Sequence, residues 1–373
     1  MSHLPGSERL HAVLRLVLPL IAIGVALPLI YLLVWRGVHA PLVVYCTHDS
    51  VFSEPVLKEF EKRTGIPVAP RFDSEATKSL GLVEQIIAEK DRPRCDVFWN
   101  NELLGTMDLQ KRGLLLAYKS PNAERIPASL KDSDGYWVGF AGRLRVLMWQ
   151  LPEGQALTTI GGPDRFSERD EVAWCNPDAV VKNAAKCAMA KPIYGTTFTQ
   201  YCVLWEVWGG EQLKAWHRKA RAAGLHEVMG NAQVKQAVSS GVCDWGFTDT
   251  DDFYAARDEG ARVEMAPVRV GLPAGGRQVA GKTICIPNTV AIIRGTRREA
   301  DAKKLVDFLL SEECEAALAN SKSRQVPLGP VDESKLPAEV NELKKYVADA
   351  YPLAGLGNVR DECLAWLKSE YIK

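Results

Sequence analysis

The chain has 373 residues, 47% of them hydrophobic and 25% charged, with Lys+Arg and Asp+Glu both at 46. That is the composition of an ordered globular protein long enough for two domains. Zero formal net charge supplies neither the basic field of a nucleic-acid binder nor the acidic excess of a disordered chain.

The first element in chain order is the apolar run Leu16–Trp35, which carries no charge. At about 1.5 Å per residue it is long enough for a hydrocarbon core of ~30 Å. Pro19 and Pro28 interrupt it, as membrane helices tolerate. Arg9 and Arg15 before it and Arg36 after it favour a cytoplasmic N-terminus. The expectation is a signal anchor over residues 1–40, with the rest of the chain on the periplasmic side of the inner membrane. A cleaved signal peptide is the alternative, although the candidate site Val38-His39-Ala40 runs into Pro41. Nine cysteines suit an exported chain, and Cys175 with Cys187, or Cys314 with Cys363, are candidate pairs.

Residues 42–46, LVVYC, read as a strand. VFSEPVLKEFEKRTG follows as a helix stopped by Gly65, and IPVAPRF as a second strand. SEATKSLGLVEQIIAEK reads as a helix opened by Ser74, CDVFW as a third strand, and NNELLGTMDLQKRG as a third helix ending at Gly113. This β-α-β-α-β-α pattern predicts a parallel sheet with helices on both faces. Ligands of such sheets lie beyond the carboxyl ends of the strands. Three polar loops hold those places: Thr47-His48-Asp49, Asp73-Ser74-Glu75 and Asn100-Asn101-Glu102. Helix capping is the competing use of the same residues.

Tyr136–Gln150 reads as a long strand able to cross from one lobe to another, and residues 152–191 as an irregular, cysteine-bounded insertion. Gly195, Thr196 and Thr197 open an apolar helix whose free N–H groups and hydroxyls suit an anion. EQLKAWHRKARAAGL reads as an exposed amphipathic helix with His217 on its surface. A Gly230-Asn231 turn, a helix and the strand CDWGF lead to TDTDD, Thr248–Asp252, again at a strand's carboxyl end. Asp251 suits an N-cap there and Asp252 the first turn, which leaves Asp249 and Thr250 to face a ligand. GKTICIPNTVAIIRG reads as a strand pair, Arg298–Ser321 as one amphipathic helix, and 338–373 as structural helices. No phosphate-binding loop, nucleophile elbow or HExxH motif is present, and no nucleophile–base–orienter set is legible. An enzyme is therefore not expected.

In this order, VVYCTHDSVFSEPVLKEFEKRTGIPV, CDVFWNNELLGTMDLQKRGLLLAY, GFAGRLRVLMWQ, GFTDTDDFYAA, IPNTVAII and KKLVDFLLSEECEAALA resemble the periplasmic solute-binding proteins of ABC importers, most closely the ferric-ion-binding subgroup. The resemblance runs from about residue 42 to about 330. It implies an α/β fold of type 2 with two lobes, each a mixed, mainly parallel sheet with flanking helices, here behind the N-terminal membrane helix. Lobe 1 would take 41–142 with about 285–330, and lobe 2 would take 143–284 with an insertion at about 165–190. Residues 331–373 would add C-terminal helices. It also implies a monomer that closes on its ligand and docks on an ABC permease. Of the family's ligands, His48 fits the first position, Asn101 or Glu102 the second, and Thr250 and Asp251 stand where relatives carry two tyrosines. The family's synergistic-anion site is matched by Thr196, Thr197, Asn231 and Arg143 or Arg145.

Two ligand classes stay open. One is a metal ion of the ferric type with a synergistic anion, in a hard-oxygen site of His48, Glu75, Glu102, Asp249 and Asp251, of which His48, Glu102, Asp249 and Asp251 are the expected metal ligands. The other is a small organic ligand, phosphorylated, phosphonate or amine, held by the same cleft. The full candidate set is His48, Asp49, Ser74, Glu75, Asn100, Asn101, Glu102, Arg143, Thr196, Thr197, Asn231, Asp249, Thr250 and Asp251. A membrane-tethered ligand sensor with no importer is a further alternative.

Overall fold

A computed structural model describes residues 40–73, 80–151, 177–271 and 281–371. The apolar run 16–35, Ser74, Glu75, Cys175 and most of the cysteine-bounded segment lie outside the described residues. Among the described residues no helix is long and apolar enough to cross a membrane.

The first half of the chain folds as β1 (Leu42–Cys46), α1 (Ser50–Thr64), β2 (Val68–Phe72), α2 (Leu80–Ala88), β3 (Val97–Asn100) and α3 (Leu104–Lys111). Helix α1 buries Val56, Leu57 and Phe60, and its last turn closes on Gly65 at φ 69°, where the Gly65 N–H donates to Glu61 O. A side chain is disfavoured in that left-handed conformation, which is why glycine ends the helix. Strands β2, β1 and β3 are parallel neighbours. Along β1 and β3, Val44, Cys46, Val97 and Trp99 belong to one core layer, while Tyr45 and Phe98 belong to the other. The two-residue alternation of a strand thus feeds helices on both faces.

Strand β5 (Val138–Gln150), after the short β4 (Leu115–Leu116), links the two halves. Its first part pairs antiparallel with β12 (Cys285–Ile293), which also pairs with β3. Its second part, Arg145–Gln150, pairs with β8 (Trp245–Asp249) and β9 (Val263–Pro267). Strand β8 continues in parallel to β6 (Cys187–Ala190) and β7 (His226–Val228). The result is a mixed, curled sheet in the order β2-β1-β3-β12-β5-β8-β6-β7. Helices α4 (Pro177–Lys182), α5 (Gly195–Trp208), α6 (Gly210–Ala222), α7 (Asn231–Ser239) and α8 (Thr250–Asp258) surround its second half. Where β5 passes between halves, Ala141 takes φ 41° and the register with β12 slips at Pro287/Asn288.

Several elements differ from expectation. GKTICIPNTVAIIRG holds two strands that do not pair with each other: β11 (Lys282–Thr283) pairs with β10 (Arg269–Val270), while β12 is the long strand. Arg298–Ser321 forms two helices, α9 (Glu299–Leu309) and α10 (Glu312–Asn320), because the Ser311 hydroxyl accepts the Cys314 N–H and starts a new helix. His217 is fully buried, with Nδ1 2.9 Å from the Tyr201 hydroxyl and Nε2 3.2 Å from that of Tyr371. Burial lowers its pKa to about 4. The chain after residue 322 supplies that cover. It forms α11 (Ala338–Ala348) and α12 (Gly357–Tyr371), and α12 turns Arg360, Cys363, Trp366 and Leu367 inward. The expected Cys314–Cys363 pair is not formed. The two thiols belong to opposite core clusters, and Cys363 is a free, buried thiol beside Cys202 of α5. Cys187 is likewise a free, buried thiol.

Candidate functional site

The carboxyl ends of β1, β3 and β8, the start of α5 and the start of α7 meet at a cavity of about 100 Å³. His48, Asp49 and Asn101 line it from the first half of the sheet, and Arg143 from the crossing strand. Thr196, Thr197, Asn231, Asp249, Asp251 and Asp252 line it from the second half.

The first-half loops are held by one another. Thr47 Oγ1 lies 2.8 Å from Asn100 Oδ1 and accepts the Asn101 N–H at 2.7 Å. Asn100 donates onward to Glu102 Oε1 at 3.1 Å and to Thr106 Oγ1 at 3.2 Å. The Glu102 carboxylate accepts the N–H groups of Leu104 and Gly105 at 2.5 and 2.8 Å, so it caps α3 from inside. Neither Asn100 nor Glu102 is among the residues lining the cavity, and burial raises the Glu102 pKa. The His48 ring is buried against Trp99, 5.7 Å centroid to centroid, with Phe52 at 5.8 Å.

The second half is built around Asp249. Antiparallel register sets Arg145 of β5 directly opposite Asp249 of β8, a favourable cross-strand pair of opposite charge. Arg145 Nη1 donates to Asp249 Oδ1 at 2.7 Å. Thr196 Oγ1 and Asn231 Nδ2 donate to Oδ2 at 2.6 and 2.8 Å, and Arg143 Nε reaches Oδ2 at 3.4 Å. Burial opposes ionisation of Asp249, but Arg145, Arg143 and the Thr196 hydroxyl outweigh it and hold the carboxyl below its ordinary range. Arg145 is fully buried and also donates to Gln200 Oε1 at 3.0 Å and to the Thr196 and Thr197 hydroxyls at 3.2 and 3.4 Å. Arg143 bridges the halves: Nη2 donates to Asn101 O, Nε faces Asp249, and Nη1 has no hydrogen-bond partner among the described residues.

Helix α8 starts at Thr250, two residues earlier than Asp251 as N-cap would set it, and Asp249 holds the N-cap position without a side-chain cap bond. Thr250 is fully buried with Oγ1 accepting the Leu144 N–H at 3.3 Å, and it does not line the cavity. Asp252 does line it, accepting from Thr248 Oγ1 at 2.7 Å. Asp249, Asp251 and Asp252 each present an oxygen within 4.8 Å of the others. Burial is the first cause that pushes the Asp251 pKa up, to about 8; the Asp252, Asp249 and Asp49 carboxylates add to it against the pull of Arg143.

Asp252, Arg145 and Gln200 are the site residues that motif reading underweighted. The signals were there: Arg143 and Arg145 share a strand face at a spacing of two, and Gln200 lies one helical turn beyond Thr196.

Residues 42–321 match the family of bacterial extracellular solute-binding proteins. The chain belongs to that family. Iron uptake protein A1 of Synechocystis sp. is 25% identical to this solute-binding protein over 314 residues, 83% of this chain and 81% of its own. The major ferric iron-binding protein of Neisseria meningitidis is 24% identical over 297 residues, 78% of this chain and 82% of its own. Among solved structures, iron-bound HitA from Pseudomonas aeruginosa shares the fold with a TM-score of 0.70 at 20% identity, over 89% of this chain and 99% of that one. The solute-binding protein is therefore a binder of the periplasmic type rather than an enzyme.

Proposed function

We propose that this solute-binding protein carries a hard metal cation of the ferric type through the periplasm and delivers it to an ABC permease. The reading treats the two halves of the sheet as lobes, 41–142 with about 285–330 and 143–284, that close on the cargo as a monomer and dock in the closed form. Cavity size carries the reading. About 100 Å³ is room for an ion and a few waters at ~30 Å³ each, whereas organic ligands occupy pockets of roughly 300–1,000 Å³. Its wall is rich in carboxylates, the ligands of hard cations, with one imidazole. Burial, with the Asp252, Asp249 and Asp49 carboxylates adding to it, raises the Asp251 pKa, and a cation bound there would favour its ionised form. Names of relatives point the same way, since two of them are an iron uptake protein and a ferric iron-binding protein. His48, Asp251 and Asp252 are the side chains we assign to the cation.

Elemental analysis and native mass spectrometry of protein purified from its host test the proposal. About one metal ion per chain is expected, and chelator-stripped protein should take up Fe³⁺ offered as a nitrilotriacetate complex. An organic mass with no metal, and no uptake, would overturn it.

A further inference from the structure

We propose that Asp249 is the built-in anion of the site. Its carboxylate fills the cradle made by Arg145, Thr196 and Asn231, so the cation is held without an anion from solution. This rests on the cation reading above, but its first test does not require a metal.

The cradle has the chemistry of an anion site. A fully buried guanidinium, Arg145, stands behind a threonine hydroxyl in the first turn of α5 and an asparagine amide in the first turn of α7. Both helices direct the positive ends of their dipoles there. A buried cation with such donors requires a negative partner, because an uncompensated charge away from water is far costlier than a paired one. The chain supplies that partner itself. A carboxylate offers roughly four lone-pair positions, and four donors converge on this one: Arg145, Thr196, Asn231 and Arg143. The Arg145, Thr196 and Asn231 distances, 2.6 to 2.8 Å, are those of a satisfied anion, and Arg143 stands farther off at 3.4 Å. Two consequences follow. The cradle has no room for a second anion while Asp249 holds it. Asp249 also spends most of its acceptor capacity inside the cradle, three donors on Oδ2 and Arg145 on Oδ1, although it belongs to the three-aspartate cluster. Cation binding then falls to Asp251 and Asp252, and Asp249 acts as a positioning residue that fixes the charge of the second wall.

The test compares the parent protein with Asp249→Ala, both free of metal, by thermal unfolding with and without inorganic phosphate. In the variant the emptied cradle takes phosphate, and the midpoint rises by about 2–4 °C at saturating ligand. The parent midpoint stays within the shift that chloride of matched ionic strength produces. An equal rise in both proteins would overturn the proposal, since the parent would then admit an outside anion, for instance on Arg143 Nη1. A folded variant with no rise would overturn it too. If Asp249→Ala does not fold, the parent still decides. Its intrinsic Fe³⁺ affinity, corrected for the iron that nitrilotriacetate, phosphate and citrate themselves bind, should change less than about threefold between phosphate, citrate and anion-poor buffers. A larger dependence would overturn the built-in anion. Absence of Fe³⁺ binding in every buffer would count against the cation reading instead, and would leave the phosphate comparison standing.

Discussion

Asp251 and Asp249 lie two positions apart in the sequence, yet their environments drive their charges in opposite directions. Asp249 is matched to Arg145, Arg143 and neutral donors that outweigh its burial, whereas burial first, and neighbouring carboxylates after it, raise Asp251 against the pull of Arg143. For Asp251 the pKa rises from 3.8 unfolded to about 8 folded. The folded state therefore binds more protons than the unfolded chain between roughly pH 4 and 8, so this group's contribution falls as pH rises through that window. A bound cation reverses the preference by favouring the ionised form. Cation affinity should accordingly climb as pH is raised from 6 to 8, by up to about tenfold per unit when a single proton is displaced. Asp251→Asn should do two opposite things: raise the midpoint of the cargo-free protein at pH 8, and lower cation affinity at least about tenfold. Thermal unfolding and metal titration at both pH values read these effects. A variant that loses stability at pH 8 and keeps its affinity would show that Asp251 is structural. That the TDTDD segment borders a cavity, through Asp249, Asp251 and Asp252, was legible from its place after an apolar strand. The division of labour within it was not, because the donors that occupy Asp249 come from three other stretches of the chain.

Local pattern foretold the elements well where each carried its own start and stop. Helix α1 and its Gly65 terminus need no tertiary information. Ser311 breaks a continuous apolar period with a single hydroxyl, and the helical pattern on either side conceals the break. His217 shows the opposite limit. Helix α6 is amphipathic, and its histidine becomes buried only because α12, more than a hundred residues later, lays Trp366 edge-on at 5.4 Å and Tyr371 beside it. Helix α12 touches both halves of the protein. Near its start, Arg360 and Asp361 meet Asp108 and Lys111 of α3 at 3.3 and 2.7 Å. Near its end, Trp366 packs on Tyr201 and Trp205 of α5 at 6.4 and 5.7 Å. The two attachments differ in strength. The Lys111–Asp361 pair is largely exposed, and such pairs contribute ~0–1 kcal/mol. Removing a buried tryptophan costs about 3–5 kcal/mol. Trp366→Ala should therefore lower the urea-unfolding free energy by about 3 kcal/mol or more, against less than about 1 kcal/mol for Lys111→Ala. Comparable losses from the two variants would mean that α12 is held through its polar end.

At the scale of the molecule, the two halves meet through strands that both turn irregular at one level. On β5, Ala141 adopts the left-handed region; on β12, the register slips between Pro287 and Asn288. The buried polar groups of this kink are satisfied. Asn288 Nδ2 donates to Ala141 O, and the buried carboxylate of Glu315 accepts the N–H groups of Ala141 and Leu328 at 2.9 and 2.8 Å. A kink fixed in this way can act as a pivot while the sheets on either side remain rigid. Just beyond it, Arg143 ties the halves across the cavity, with Asn101 O on one side and Asp249 on the other. Its guanidinium is suited to that task because a planar fork holds two acceptors at fixed angles, which an ammonium cannot do. Arg143→Lys keeps the charge and loses the fork. The cargo-free variant should therefore populate more open forms, seen as a larger radius of gyration in small-angle scattering. Its cation affinity should fall about tenfold, in line with the loss of a charge-assisted hydrogen bond at roughly 1.5–3 kcal/mol. Added cation should bring the radius back to that of the parent, because cargo contacts can replace the missing tie. If the variant's radius equals the parent's with and without cation, Arg143 does not hold the halves together, and closure depends on the backbone pivot alone.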